Sequence, residues 1–232
     1  MPLESDAANR LVAELEQDAQ SVERYQAVVR VRGEGPEGRF SATELVLFER
    51  PDRVRVELLA TFGSSRFIAV TGGGEITVFF PRSREYLEES AVEDVVAALL
   101  GIRLSPQEVM AILSGAGLPL GGQGAVRGEQ RRDRVRVHLA QGTVDIEGEQ
   151  VREARTSAYR VVYPTEWKRM RRGAPDRIEV ASDKIEASLT VEDLDINVRL
   201  DPEAFVISLP EGASRLDLAQ IEGEAVFVRP RQ

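Results

Sequence analysis

The chain has no cysteine, a single histidine (His138) and a single tryptophan (Trp167) among its 232 residues. Disulfides, thiolate metal sites and a cysteine nucleophile are therefore excluded. A Ser–His or Thr–His arrangement would have to use His138, and no serine stands in a G-x-S-x-G elbow. Positive charge is also scarce: 30 Lys and Arg against 39 Asp and Glu give a net charge of −9. That balance argues against a general nucleic-acid binder, and the surplus acid serves solubility. No run approaches the roughly 20 apolar residues of a membrane-spanning helix. The N-terminus, MPLESDAANR, has neither the basic nor the apolar region of a signal peptide. It reads as the start of a cytosolic protein or of the mature part of an exported one. Gly72-Gly73-Gly74 is followed by no Lys-Ser/Thr and no helix pattern, so it is not a phosphate loop. Glu192, Asp193 and Asp195 lack the spacing of a calcium loop and read as a solvated strand end. No enzyme, cofactor or metal is expected.

What is present is a long series of strand patterns. Apolar residues make up 42% of the chain, enough for a core. Residues 5–25 predict an amphipathic helix, with Leu11, Leu15 and Val22 at helical spacing and Ser5 or Asp6 as cap. Strands follow at Ala27–Arg32, Arg39–Arg50, Arg53–Leu59, Arg66–Thr71 and Glu75–Phe80, joined by tight Gly and Pro turns. The period then changes. Glu88–Leu100 carries Val92, Val95, Val96, Leu99 and Leu100 on one stripe, and Gly101 ends it. Ser105, Pro106 and Glu108 form a capping box with proline at the first helical position, opening a second helix. Ser114–Gly124 reads as a flexible Gly-rich loop. Strands resume at Arg134–Leu139, Gln150–Ala154, Ala158–Tyr163, Trp167–Met170, Arg177–Ala181, Ile185–Asp195 and Phe205–Ser208, with Ala225–Val228 closing the set.

These patterns predict a single domain over residues 1–232. Its class is mainly β: an open antiparallel half-barrel of about 10–11 strands, with a helical lid (insert 88–114) over its concave face. A sheet and lid of this kind either pack solidly or enclose an apolar cavity, and composition does not decide between them. The candidate cavity residues are Leu45, Leu47, Val54, Val56, Phe67, Ile76 and Val78 on strands, and Val92, Val96, Leu100, Val109, Met110 and Leu113 on helices. On Arg39–Arg50 the sets Leu45/Leu47 and Val46/Phe48 are almost equally apolar. Pairing across Pro51-Asp52 favours Leu45 and Leu47 as the inward pair.

One turn breaks the usual turn chemistry. Leu58-Leu59-Ala60-Thr61-Phe62-Gly63 is apolar where hairpin tips are normally Gly, Asn, Asp or Pro. Either it packs back on the core or it presents Leu58, Leu59 and Phe62 to something apolar. The run Trp167–Arg172 (WKRMRR) is the strongest basic patch. It suits anionic lipid headgroups or an acidic partner or, more plainly, a solvated hairpin edge protected by charge. His138, beside Arg134 and Arg136 on an outer face, reads as a solvent-facing strand residue.

The order of elements resembles the outer-membrane lipoprotein-sorting proteins LolA and LolB and their relatives. The resemblance is carried by Arg24–Gly33, Arg53–Val70 with its Phe62-Gly63-Ser64 turn, Ile76–Tyr86, Gly101–Pro106, Ala158–Tyr163, Pro175–Leu189 and Leu200–Gly212. It implies an open barrel with a helical lid and an acyl-chain cavity. In the membrane-anchored branch an apolar residue in the turn after the third strand enters the bilayer, and Phe62 holds that position here. That branch also carries a lipidated N-terminal cysteine, which this sequence lacks, and Leu200–Gly212 is more like the soluble carriers. What the resemblance implies is a monomeric periplasmic or outer-membrane-associated carrier. It would bind lipid or lipoprotein acyl chains, touch a membrane through Phe62 and meet a partner carrier. The alternative is an envelope scaffold with a solid core.

Overall fold

The computed structural model describes residues 2–3, 5–36, 38–59, 65–121, 127–164 and 173–221. The expected Phe62 tip, the strand Trp167–Met170, the basic run Trp167–Arg172 and the strand Ala225–Val228 lie outside the described residues. The chain begins with β1 (Pro2–Leu3) and helix α1 (Ser5–Gln20). A first meander follows: β2 (Arg24–Gly35), β3 (Gly38–Glu49), β4 (Arg53–Leu59), β5 (Ser65–Gly72), β6 (Glu75–Phe80) and β7 (Glu85–Glu89). Two helices interrupt it, α2 (Val92–Leu100) and α3 (Pro106–Leu113). The second meander runs through β8 (Arg127–Arg131), β9 (Arg134–Leu139), β10 (Gly142–Glu147), β11 (Gln150–Arg155), β12 (Arg160–Val162), β13 (Arg177–Ala181) and β14 (Glu186–Ile196). A single 3-10 turn, Pro202–Phe205, then leads to β15 (Ser214–Arg215) and α4 (Leu218–Ile221).

The fifteen strands among the described residues all belong to one sheet, more than the ten or eleven expected. β14 pairs with β2 from Glu186↔Glu34 to Ile196↔Tyr25, and this long seam joins the two meanders. The sheet ends in β1 on one side and β15 on the other, so it curls without closing. Except for β15 on β7, which is parallel, every pairing is antiparallel.

The concave face carries the core. Tyr25, Ala27, Val29 and Val31 of β2 are buried in one cluster with Ala8, Val12, Leu15 and Ala19 of α1 and Met110, Ala111, Ile112 and Leu113 of α3. A second cluster joins Phe67, Ala69, Ile76, Val78 and Leu87 to Val92, Val95 and Leu99 of α2. The end of α1 is held by Arg50, whose guanidinium donates to the carbonyls of Ala19 (3.0 Å) and Val22 (2.9 Å). These are groups that a helix C-terminus leaves unbonded, and a cation suits its dipole.

Helix α3 starts as its sequence predicts. Ser105 Oγ accepts from Glu108 N (3.2 Å), and Glu108 Oε2 accepts from Ser105 N (2.8 Å). Changing Ser105 to Ala should therefore lower stability by about 1 kcal/mol. Urea denaturation of the two proteins checks this, and an unchanged midpoint would mean that tertiary packing alone sets this helix start.

Candidate functional site

Strand β3 decides what faces the lid. The short turn after it closes on Glu49↔Arg53, which places Val46 opposite Val56 and Leu47 opposite Arg55. Even-numbered residues thus face even-numbered ones, and the inward set is Glu44, Val46 and Phe48. This corrects the expectation for Leu45 and Leu47, which lie on the outer face with Arg55. Leu47 is nevertheless buried, and the chain after β14 crosses the outside of the neighbouring β4 and of β5. Arg55 Nη1 donates to Ala204 O in that crossing (2.9 Å).

Between the sheet and α3 lies an apolar cavity of about 120 Å³. The sheet contributes Val31, Phe40, Glu44, Val46 and Val56 on one side. The other side is Val180, Ile185, Ala187 and Leu189 of the β13–β14 hairpin. Over the top run Leu100, Ile102 and Leu104 of the α2–α3 elbow, with Val109, Ile112 and Leu113 of α3. The elbow touches the hairpin lightly: Ser182 Oγ donates to Gly101 O at 3.5 Å. Further along, α3 is fixed by the buried Tyr163 hydroxyl, which donates to Ile112 O (2.7 Å). Two larger depressions, of about 410 and 440 Å³, are lined mainly by charged and polar residues such as Asp52, Glu93, Arg32 and Glu179. They do not suit an acyl chain.

Among the described residues Glu44 is the one polar residue in the apolar wall. It is only 8% exposed and sits between Val29 of β2 and Leu58 of β4. Burial pushes its carboxyl up to about 7, because the charged form loses its water.

No family model matches the sequence, and no curated protein matches it. Solved structures do. A LolA superfamily protein from Nitrosomonas europaea has 12% identity and a TM-score of 0.57, covering 86% of this chain and 97% of that one. A domain described as an outer membrane lipoprotein-sorting protein, from Vibrio parahaemolyticus, has 7% identity and a TM-score of 0.59, covering 87% and 97%. This chain has the LolA-superfamily fold. A DUF1329 family protein from Desulfovibrio piger shares it as well, at 8% identity and a TM-score of 0.57 over 87% and 97% of the two chains.

Within this LolA-like half-barrel the expected cavity residues separate into groups. Val56, Leu100, Val109 and Leu113 line the cavity. Phe67, Ile76, Val78 and Val92 are instead packed in the second cluster under α2, and Val96 packs at its edge. Val54 and Met110 are buried in the main cluster without reaching the cavity wall. Leu58, expected in an exposed tip, is 1% exposed and faces inward beside Glu44. Leu59 is half-buried at the end of β4, and Phe62 is outside the described residues. Lining residues that went unread include Val180, Ala187 and Leu189, although their alternation along the β13–β14 hairpin carried the signal. Glu44 went unread because a charged residue in an alternating strand is ordinarily taken to face water.

The other expected sites have ordinary surroundings. His138 is half-exposed on the outer face and lies 3.6 Å from a Glu129 oxygen. Glu192 pairs with Arg30 at 2.8 Å. Such half-exposed pairs contribute little stability.

Proposed function

We propose that this protein is a non-enzymatic carrier that takes acyl chains of lipids or lipoproteins into its apolar cavity and hands them to a membrane in a bacterial envelope. The observation that carries this reading is the cavity itself, apolar apart from Glu44 and roofed by a helix whose elbow is lightly held. The LolA-like fold supports it. Each methylene moved from water to such a wall gains about 0.8 kcal/mol, so binding needs no catalytic group.

The cavity as it stands is smaller than a full chain requires. At about 120 Å³ it compares with the cavities that accept a single benzene ring. A whole acyl chain needs several hundred. Loading a long chain therefore requires the elbow Gly101–Ser105 to lift from the β13–β14 hairpin. The deciding measurement is native mass spectrometry of the purified protein, with solvent extraction of whatever it holds. A mass increment matching an acyl lipid supports the carrier. An unloaded protein that also refuses a fluorescent fatty-acyl probe would favour an envelope scaffold with a closed core.

Delivery is assigned to the tip after β4. Strand β4 ends at Leu59, paired with Thr43, one residue from Glu44 in the cavity wall. The last described residue of β4, Leu59, thus lies near the cavity wall. Phe62→Glu is expected to keep the parental melting temperature and to abolish transfer of a fluorescent acyl probe to lipid vesicles. Full transfer by this variant would rule the tip out, and loss of folding would make Phe62 a core residue.

A further inference from the structure

We infer that the cavity selects amphiphiles whose head group donates a hydrogen bond, as amine, hydroxyl or amide, and that it excludes carboxylate and phosphate heads at its inner end. The inference rests on the carrier reading above and names the ligand class. Glu44 carries it. Its side chain is more than nine-tenths buried and belongs to a wall whose other described residues are all aliphatic or aromatic. Among the described residues no hydrogen bond or ion pair satisfies it. A buried acceptor without a partner costs free energy until a donor arrives. Among the described residues no arginine, lysine or histidine lines the cavity, so none of them would neutralise an anionic head.

The position of Glu44 fixes how far the head can enter. It sits on β3 with Val46 on its inner side and Phe40 towards the β2–β3 turn, and both line the cavity. A head that reaches Glu44 has its first carbons against Val46, Val56, Val109 and Leu113. The rest of the chain then runs under the elbow. A hydroxyl or amide N–H can donate to the carboxylate, and an ammonium can form a buried charged pair with it. A carboxylate or phosphate would bring a second negative charge into the same water-poor space. Burial already pushes the Glu44 carboxyl up to about 7, because its charged form loses water there.

The test uses three probes with one chain length, 1-decanol, decylamine and decanoate, titrated calorimetrically at pH 8. N-decanoylglycinamide and monodecanoylglycerol are added to separate an amide source of the donor from a hydroxyl source. The parent should bind decanol and decylamine at least tenfold more tightly than decanoate. Glu44→Leu should bring decanol and decanoate to within about threefold of each other. Glu44→Gln keeps hydrogen bonding without charge, so it should retain decanol and lose the advantage of decylamine. Equal binding of all heads by the parent, or the parental order kept in Glu44→Leu, overturns the head-group inference and leaves the carrier standing. If neither parent nor variants bind any of the chains while melting normally, the carrier reading falls with it.

Discussion

Glu44→Gln should stabilise the protein by about 3 kcal/mol at pH 8 and leave it nearly unchanged at pH 4. The sign follows from where the proton sits. Burial raises the carboxyl from the ordinary 4.5 to about 7 in the folded chain, and the unfolded chain keeps the ordinary value. Below about pH 4.5 both states hold the proton, and ionisation contributes nothing to the difference. Between 4.5 and 7 the unfolded state releases it while the folded state retains it, so stability falls as pH rises. Above 7 both are ionised, and the folded state carries the full cost of a buried, unpaired carboxylate. Glutamine has the shape of the protonated acid and does not titrate, so the gap between parent and variant should open only over that window. Denaturant melts at several pH values measure it. A constant gap across the window would mean that Glu44 ionises as freely in the folded protein as in the unfolded one.

The same experiment must be read against carboxylates that act in the opposite direction. Glu153 is held down to about 2, chiefly by its hydrogen bond from Arg160 and also by Arg155. Its contribution is present above the ordinary value near 4.5 and fades as pH falls towards 2. It is common to parent and variant, so it cancels in their difference. The pH dependence of the parent alone would mix the two and could hide both.

Much of the sheet was legible because its strands alternate cleanly. Arg53–Leu59, Glu75–Phe80, Arg134–Leu139 and Arg177–Ala181 fall where their patterns put them. Helix α3 was legible from its cap alone. Two strands that escaped notice, β7 and β8, lack a clean two-residue pattern, whereas β10 (GTVDIE) alternates and was still missed. β8 reads RGEQR, with no apolar face, and β7 reads EYLEE, whose acids merged with the start of α2. Phe205–Ser208, expected as a strand, follows a 3-10 turn that proline opens and Asp201 caps. The stretch after α3 was taken for a flexible loop because of its glycines. It is a buried strap, with Ala116, Leu118 and Leu120 in the core. Gly117 is there because a Cβ would strike the Cβ of Ala154, and its φ of +79° also favours glycine.

The site was less legible than the fold, and for one reason. Where both faces of a strand are buried, alternation no longer tells inside from outside. β3 is such a strand: Leu47 is buried on one face, and Val46 and Phe48 are buried in the main core on the other. The expected pairing of Leu45 and Leu47 with Val54 and Val56 across Pro51-Asp52 is one residue out of register. Only the register of the β3–β4 turn resolves the choice.

That register also singles out Phe48, where the largest loss of stability is expected. Phe48→Ala should cost about 4 kcal/mol. Phe48 is fully buried and faces Tyr25 directly across the β2–β3 ladder. The two rings stack with centroids 5.1 Å apart and planes 7° from parallel. The Arg50 guanidinium lies 5.7 Å from the Phe48 ring centroid. It is the same group that holds the end of α1, so removing the ring leaves a void and loosens the anchor of that helix together. The cavity wall lies one inward step away at Val46, and the void would open beside it. Phe48→Leu refills most of the volume without the stack, and it should recover more than half of the loss. Guanidinium melts of the three proteins decide the matter. A loss under 1 kcal/mol for Phe48→Ala would mean that α1 and the sheet collapse together to fill the space, and that the stack does not set the position of β3 beneath the lid.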